Sequence, residues 1–126
     1  MILVCGALLG LISVAFGAFA EHGLRSIVTD EQFRLLMTAV RYNQAHAVIT
    51  SAIGLALHSA RLANIPALKW SGLLFITGTV LFSFSIYLSV SFDIPYLMNI
   101  TPVGGITIIA AWLLLLTAGL LVNKKQ

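Results

Sequence analysis

Polar side chains are scarce in this 126-residue chain, and the few that fall inside apolar stretches mark where chemistry could occur. The densest set lies in "TAVRYNQAHAVITSAIGLALHSA", Thr38 to Ala60. There Thr38, Tyr42, His46 and Thr50 recur every four residues, a spacing that puts them along one face of a helix. A second series, Thr79, Ser83, Tyr87 and Ser91, repeats the pattern. On antiparallel helices, Tyr87 would fall near the depth of Tyr42, and Ser83 near that of His46. The spacing predicts an outward-facing polar cluster of His22, Arg41, Tyr42, His46, Ser83 and Tyr87. Ionisable groups within a membrane are costly and are functional candidates for that reason. An imidazole flanked by hydroxyls can respond to protons or can join helices by hydrogen bonds. Arg41, about one turn in, can snorkel to the headgroups.

Other chemistry finds little to work with. Glu21, His22 and His46 are the reasonable N/O ligands, but they lack the close spacing of a metal motif. Cys5 is the one cysteine, which excludes an intramolecular disulfide and a multi-thiolate site. Ser83 and Ser85 sit in an apolar helix without a nearby acid–base partner. Gly104-Gly105 opens an apolar stretch with no lysine beside it, so it is no phosphate loop. The expectation is no catalytic residue, no metal, no cofactor and no enzymatic activity.

The elements that must carry these residues follow from composition. The chain is 60% hydrophobic and 9% charged, with a mean hydropathy of +1.03, whereas soluble domains carry about a quarter charged residues. Its solvent is mostly lipid. A formal charge of +3 from seven basic and four acidic side chains gives no basic stripe for nucleic acid. Four apolar blocks emerge, about 1–20, 38–60, 68–92 and 103–122, each near the length that crosses roughly 30 Å of hydrocarbon. Short connections make neighbours antiparallel. The fold expected is all-α: a single integral-membrane domain, a four-helix antiparallel bundle with an amphipathic outer segment between helices 1 and 2.

Boundaries carry their own marks. "TDEQ" (Thr29 to Gln32) has the capping-box form and starts the second helix near Asp30, before the membrane. Pro66 makes a turn, with Lys69 and Trp70 as interface anchors. Thr101 is placed to cap the last helix, with Pro102 at its first position, and Lys124 and Lys125 read as a surface anchor. Ala18-Phe19-Ala20 fits a peptidase site, but a signal peptide needs a basic n-region and a shorter apolar core. The first block therefore reads as a retained helix. Gly6, Gly10, Ser13 and Gly17 lie three or four apart on it and form a close-packing face. Gly104 and Ala111 offer the same on the last helix. With four spans, Arg61, Lys69, Lys124 and Lys125 share a side with both termini, against Arg25 and, counted generously, Arg34 and Arg41. That bias puts the termini in the cytoplasm.

Four phrases in order, "GAFAEHGL" (17–24), "TAVRYNQAHAV" (38–48), "GTVLFSFSIYL" (78–88) and "TPVGGITIIAAW" (101–112), give a resemblance over nearly the whole chain. It resembles the YgdD/YwdK family of small bacterial inner-membrane proteins of unknown function, related to eukaryotic transmembrane protein 256. The family's usual first phrase is Gly-Ala-Phe-Gly-Ala-His, so Glu21 is this chain's own addition while His22 matches. The family usually has Phe-Ser-Gly-Ser where Phe84 stands between Ser83 and Ser85. The resemblance implies a multi-pass protein of the bacterial inner (cytoplasmic) membrane and lends no biochemical activity. The function expected is packing and partner contact among membrane lipids, as a homo-oligomer or an accessory subunit of a membrane assembly. The other reading is a small transport or binding protein for protons, ions or a lipid-like molecule, using the cluster around His46.

Overall fold

The charge-free opening block winds into α1 (Ile2–Phe19), and it does not stop where the charges begin. Ala20–Leu24 continues the rod as one π-helical turn, closed by the Arg25 N–H donating to the Ala20 carbonyl at 3.0 Å. In this computed structural model, which describes residues 1–124, five further α-helical segments follow: α2 (Asp30–Ala56), α3 (Ala60–Ala63), α4 (Pro66–Thr79), α5 (Ser85–Ser91) and α6 (Thr101–Lys124). No strand occurs among the described residues. The expected anchor of Lys124 and Lys125 falls at and beyond this limit: Lys125 and the Lys124 side chain lie outside the described residues.

Thr29 sets the start of α2 as expected. Its hydroxyl accepts the Gln32 N–H at 3.2 Å, and the Gln32 side chain accepts the Thr29 N–H at 2.9 Å. Asp30 and Glu31 occupy the first turn, where the helix dipole favours negative charge. The other end falls at Ala56, four residues short of the expected Ala60. There His58 Nδ1 lies 2.9 Å from the Gly54 carbonyl and occupies an acceptor that the helix end leaves free. Pro66 opens α4, its fixed φ suiting a first helical position. A second π-helical turn, Val80–Phe84, joins α4 to α5 in one rod.

The expected cap at Thr101 is a correction. A 3₁₀ turn, Pro95–Ile100, runs straight into α6, so Thr101 is itself helical, at φ −52° and ψ −45°. Its hydroxyl instead pairs with that of Ser85 at 2.7 Å. The outer segment between the first two helices is likewise reduced to the π turn and a short turn before Thr29.

Among the described residues, three helical rods are long and apolar enough to cross a membrane: Ile2–Leu24, Pro66–Ser91 and Pro95–Asn123. Packing pairs α1 with α2 and α4 with α6, and the α2–α4 contact joins the pairs. One apolar cluster gathers Ile2, Ile53, Leu68, Phe75 and Ile108; another gathers Leu24, Leu36, Val40, Ile86 and Tyr87. Outward faces stay apolar as well, with Val4, Leu8 and Leu11 exposed on α1 and Ile106, Leu113 and Leu116 on α6. A soluble monomer rarely exposes so much contiguous apolar surface; acyl chains match it.

Candidate functional site

The polar side chains of α2 meet those of the α4–α5 rod in a buried seam. Ser83 Oγ donates to the Ala39 carbonyl at 2.9 Å, and the Asn43 side-chain amide donates to the Tyr87 hydroxyl at 3.3 Å. Tyr87 is buried and stacks on Phe16, ring centres 3.8 Å apart. His46 stacks on Phe75 at 5.4 Å and meets the edge of Trp112 at 6.5 Å. Asn43 Oδ1, His46 Nδ1, Thr50 Oγ1 and Thr79 Oγ1 are buried without a hydrogen-bond partner among the described residues.

This geometry corrects parts of the sequence reading. Ser83 lies level with Ala39, not with His46, whose neighbour on α4 is Phe75. Seven residues, about 10 Å of helix rise, separate Ala39 from His46. Tyr42 leaves the seam, 45% exposed and stacked on Phe82 at 4.7 Å. A strict spacing of four advances about 40° beyond a full turn at each step, so Thr38, Tyr42, His46 and Thr50 spiral out of one plane. The seam follows Ala39, Asn43, His46 and Thr50, alternating four and three. Asn43 was missed, although that alternation was readable. His22 is exposed on the π turn, beside the exposed Arg25–Glu21 ion pair, and Arg41 is exposed on α2. Neither shares a hydrogen bond or ring contact with the seam among the described residues. No three His, Cys, Asp or Glu side chains come together among them either.

The small residues work between helices of this chain. A Cβ on Gly6 would lie 2.5 Å from Ser51 Oγ and 2.6 Å from the Ser51 nitrogen. One on Gly17 would meet a Val40 methyl at 3.3 Å, and one on Gly10 would find only Ala47 Cβ, at 3.7 Å. Ser13 is buried, its hydroxyl donating to the Gly10 carbonyl at 2.7 Å. Gly54, unremarked in the sequence, completes this crossing against the Leu3 backbone at 2.5 Å. At the other crossing, a Cβ on Gly104 would run into the backbone of Phe82 and Leu81, while Ser71 Oγ donates to the Ala111 carbonyl at 3.0 Å. The second π turn, Val80–Phe84, is where Gly104 seats.

Of the grooves that open outward among the described residues, two border these contacts. One, about 310 Å³, is lined by Tyr42, His46, Phe82, Gly105, Ile108, Ile109 and Trp112. The other, about 620 Å³, follows α1 and α2, where Gly6, Ala7, Gly10, Ala47, Ser51 and Ala52 contribute small side chains to its lining.

Apolar rods with apolar outer faces, joined inside by hydroxyl, amide and imidazole contacts, define an all-helical integral membrane protein. The family model described as "Protein of unknown function (DUF423)" matches residues 16–105, and the chain belongs to that family. It is 33% identical to the UPF0382 membrane protein YwdK of Bacillus subtilis (strain 168) over 116 residues, 92% of this chain and 93% of the relative. It is 32% identical to the UPF0382 inner membrane protein YgdD of Escherichia coli (strain K12) over 123 residues, 98% of this chain and 92% of the relative. With the UPF0382 membrane protein SH2409 of Staphylococcus haemolyticus (strain JCSC1435) the identity is 34%, over 92% of each chain. No solved structure matches the chain.

Proposed function

We propose that the chain is a four-pass, non-enzymatic protein of the bacterial inner membrane, an antiparallel bundle with both termini cytoplasmic, acting by contact with partners in the lipid plane. The fourth pass is α2, whose 27 residues rise about 40 Å. Its polar groups Asn43, His46 and Thr50 turn inward, leaving Val48 and Leu55 exposed toward lipid. Arg61 and Lys69, both exposed between α2 and the apolar part of α4, favour the cytoplasm for that end. The two serines of the seam are held by structural hydrogen bonds, Ser83 to the Ala39 carbonyl and Ser85 to the Phe82 carbonyl and the Thr101 hydroxyl.

The observation that carries the partner reading is the α1–α2 groove. Its small residues let another helix approach closely, the geometry by which helices associate in lipid. A second copy of the chain is the first occupant to test. Ala7 and Ala52 are exposed in the groove, so Ala7→Leu with Ala52→Leu fills it without entering the seam beneath. Energy transfer between donor- and acceptor-labelled copies in vesicles is expected in the parent and lost in the variant. Equal transfer in both, or none in either, sinks self-association through this groove. Topology is checked separately in a Cys5→Ser background. Cysteines replacing Ser26 or Asp93 should react with an impermeant maleimide added outside cells, and one replacing Asn64 should not.

A further inference from the structure

We infer that the groove between α2 and α6 beside His46 is a binding site for a lipid-soluble molecule with a flat ring bearing hydrogen-bonding oxygens, the chemistry of a membrane quinone. This goes beyond the packing role proposed above and does not depend on it. The groove holds about 310 Å³, at the small end of ligand pockets and enough for a ring headgroup. Its walls are flat. Tyr42 and Phe82 stack at 4.7 Å, and Trp112, which also lines the groove, is T-shaped to Phe75 at 5.2 Å. Tyr42 is 45% and Trp112 47% exposed, so both offer ring surface to whatever enters from the bilayer, and aromatic faces favour another ring over an acyl chain.

Trp112 is out of place as an interface anchor. It lies eleven residues beyond Thr101 in α6, about 17 Å along the helix, whereas anchoring tryptophans sit at headgroup level. The polar contribution comes from His46, 5% exposed in the groove wall. Its Nδ1 is fully enclosed and the ring lies against the Tyr42 backbone, which leaves Nε2 as the nitrogen that can face a ligand. An imidazole can donate to a quinone carbonyl or accept from a quinol hydroxyl. No Lys or Arg lines the groove, so a phosphate-bearing headgroup has no counter-charge there. Ile109, exposed on the groove wall, and Leu113 and Leu116, exposed further along α6, provide an apolar track for the tail.

The test uses the full chain in phosphatidylcholine nanodiscs titrated with decylubiquinone, read by tryptophan fluorescence. The two tryptophans are Trp70 and Trp112. Quenching should saturate in the parent and in Trp70→Phe, and the saturating component should vanish in Trp112→Phe. Gly105→Leu blocks the groove from a position where a Cβ finds its nearest neighbour, the Phe82 ring, at 3.9 Å, so the branch point adds no clash with main chain. It should raise the half-saturating concentration at least about tenfold, as should His46→Leu, with unchanged circular dichroism. Quenching that stays linear, or that is the same in Gly105→Leu as in the parent, overturns the site. Equal displacement of decylubiquinone by dodecanol overturns the ring specificity and leaves only an acyl-chain groove.

Discussion

Replacing Gly104 by alanine adds one methyl group where α6 presses against the π turn between α4 and α5. Its Cβ would stand 2.7 Å from Phe82 Cα and 2.8 Å from the Leu81 carbonyl carbon, where ordinary contact begins at 3.4 Å. The obstruction is main chain inside the π turn, so no side chain can swing aside. The Phe82 nitrogen is nearer still, so the seam must open by about 1 Å, and that movement passes to Gly78, where a Cβ would already approach the Ile108 nitrogen to 3.0 Å. Overpacking of this kind costs about 1–3 kcal/mol, and the obstructing backbone places Gly104→Ala at the upper end. Alanine's better helix propensity returns up to about 1 kcal/mol, for a net loss of about 1–2 kcal/mol. The assay is reversible unfolding in mixed detergent–dodecyl sulfate micelles, followed by far-ultraviolet circular dichroism. Gly119→Ala is the control, since a Cβ there meets nothing within 4 Å, and it should be neutral or stabilising. If Gly104→Ala is as stable as Gly119→Ala, the seam yields more readily than a packed crossing can, and the reasoning fails.

The same unfolding assay separates the glycines of α1. Gly6→Ala, driven against the Ser51 nitrogen at 2.6 Å, should lose about 1–2 kcal/mol net of the same propensity gain, while Gly10→Ala, with 3.7 Å to Ala47, should be neutral or stabilising by up to about 1 kcal/mol. Matching losses would mean that proximity to α2 does not decide the cost. At the start of α2, Thr29→Ala removes the acceptor for the Gln32 N–H and should cost about 1 kcal/mol, with faster amide exchange confined to the first turn of that helix.

Much of the fold was legible because lipid leaves the backbone few options. Apolar stretches near twenty residues can satisfy their hydrogen bonds in lipid only as helices, and Thr29 and Pro66 mark where two of the helices start. The candidate site was legible in its inventory and less so in its arrangement. His46, Ser83 and Tyr87 are buried at helix contacts, whereas His22 and Arg41 are exposed. Tyr42 stands on the flank because a four-residue period drifts from the helix's 3.6. The π turns at Ala20–Leu24 and Val80–Phe84 carry no composition mark, since a residue's type does not announce a bond to the fifth neighbour instead of the fourth.

By itself, then, the sequence determined that the chain is helical, lives in a membrane, caps its second helix at Thr29 and belongs with small membrane proteins of its kind. Those properties rest on local hydrogen bonding and on the transfer of side chains to lipid, which each segment obeys independently. Only the tertiary structure decided which partner each polar or small residue meets. Gly6 and Gly17 face α2 of the same chain, Gly104 faces Phe82, Thr101 pairs with Ser85 in place of capping, and Trp112 lines a groove together with His46. The reason is register: about 100° of rotation and 1.5 Å of rise per residue turn small choices at helix ends into different neighbours several turns away.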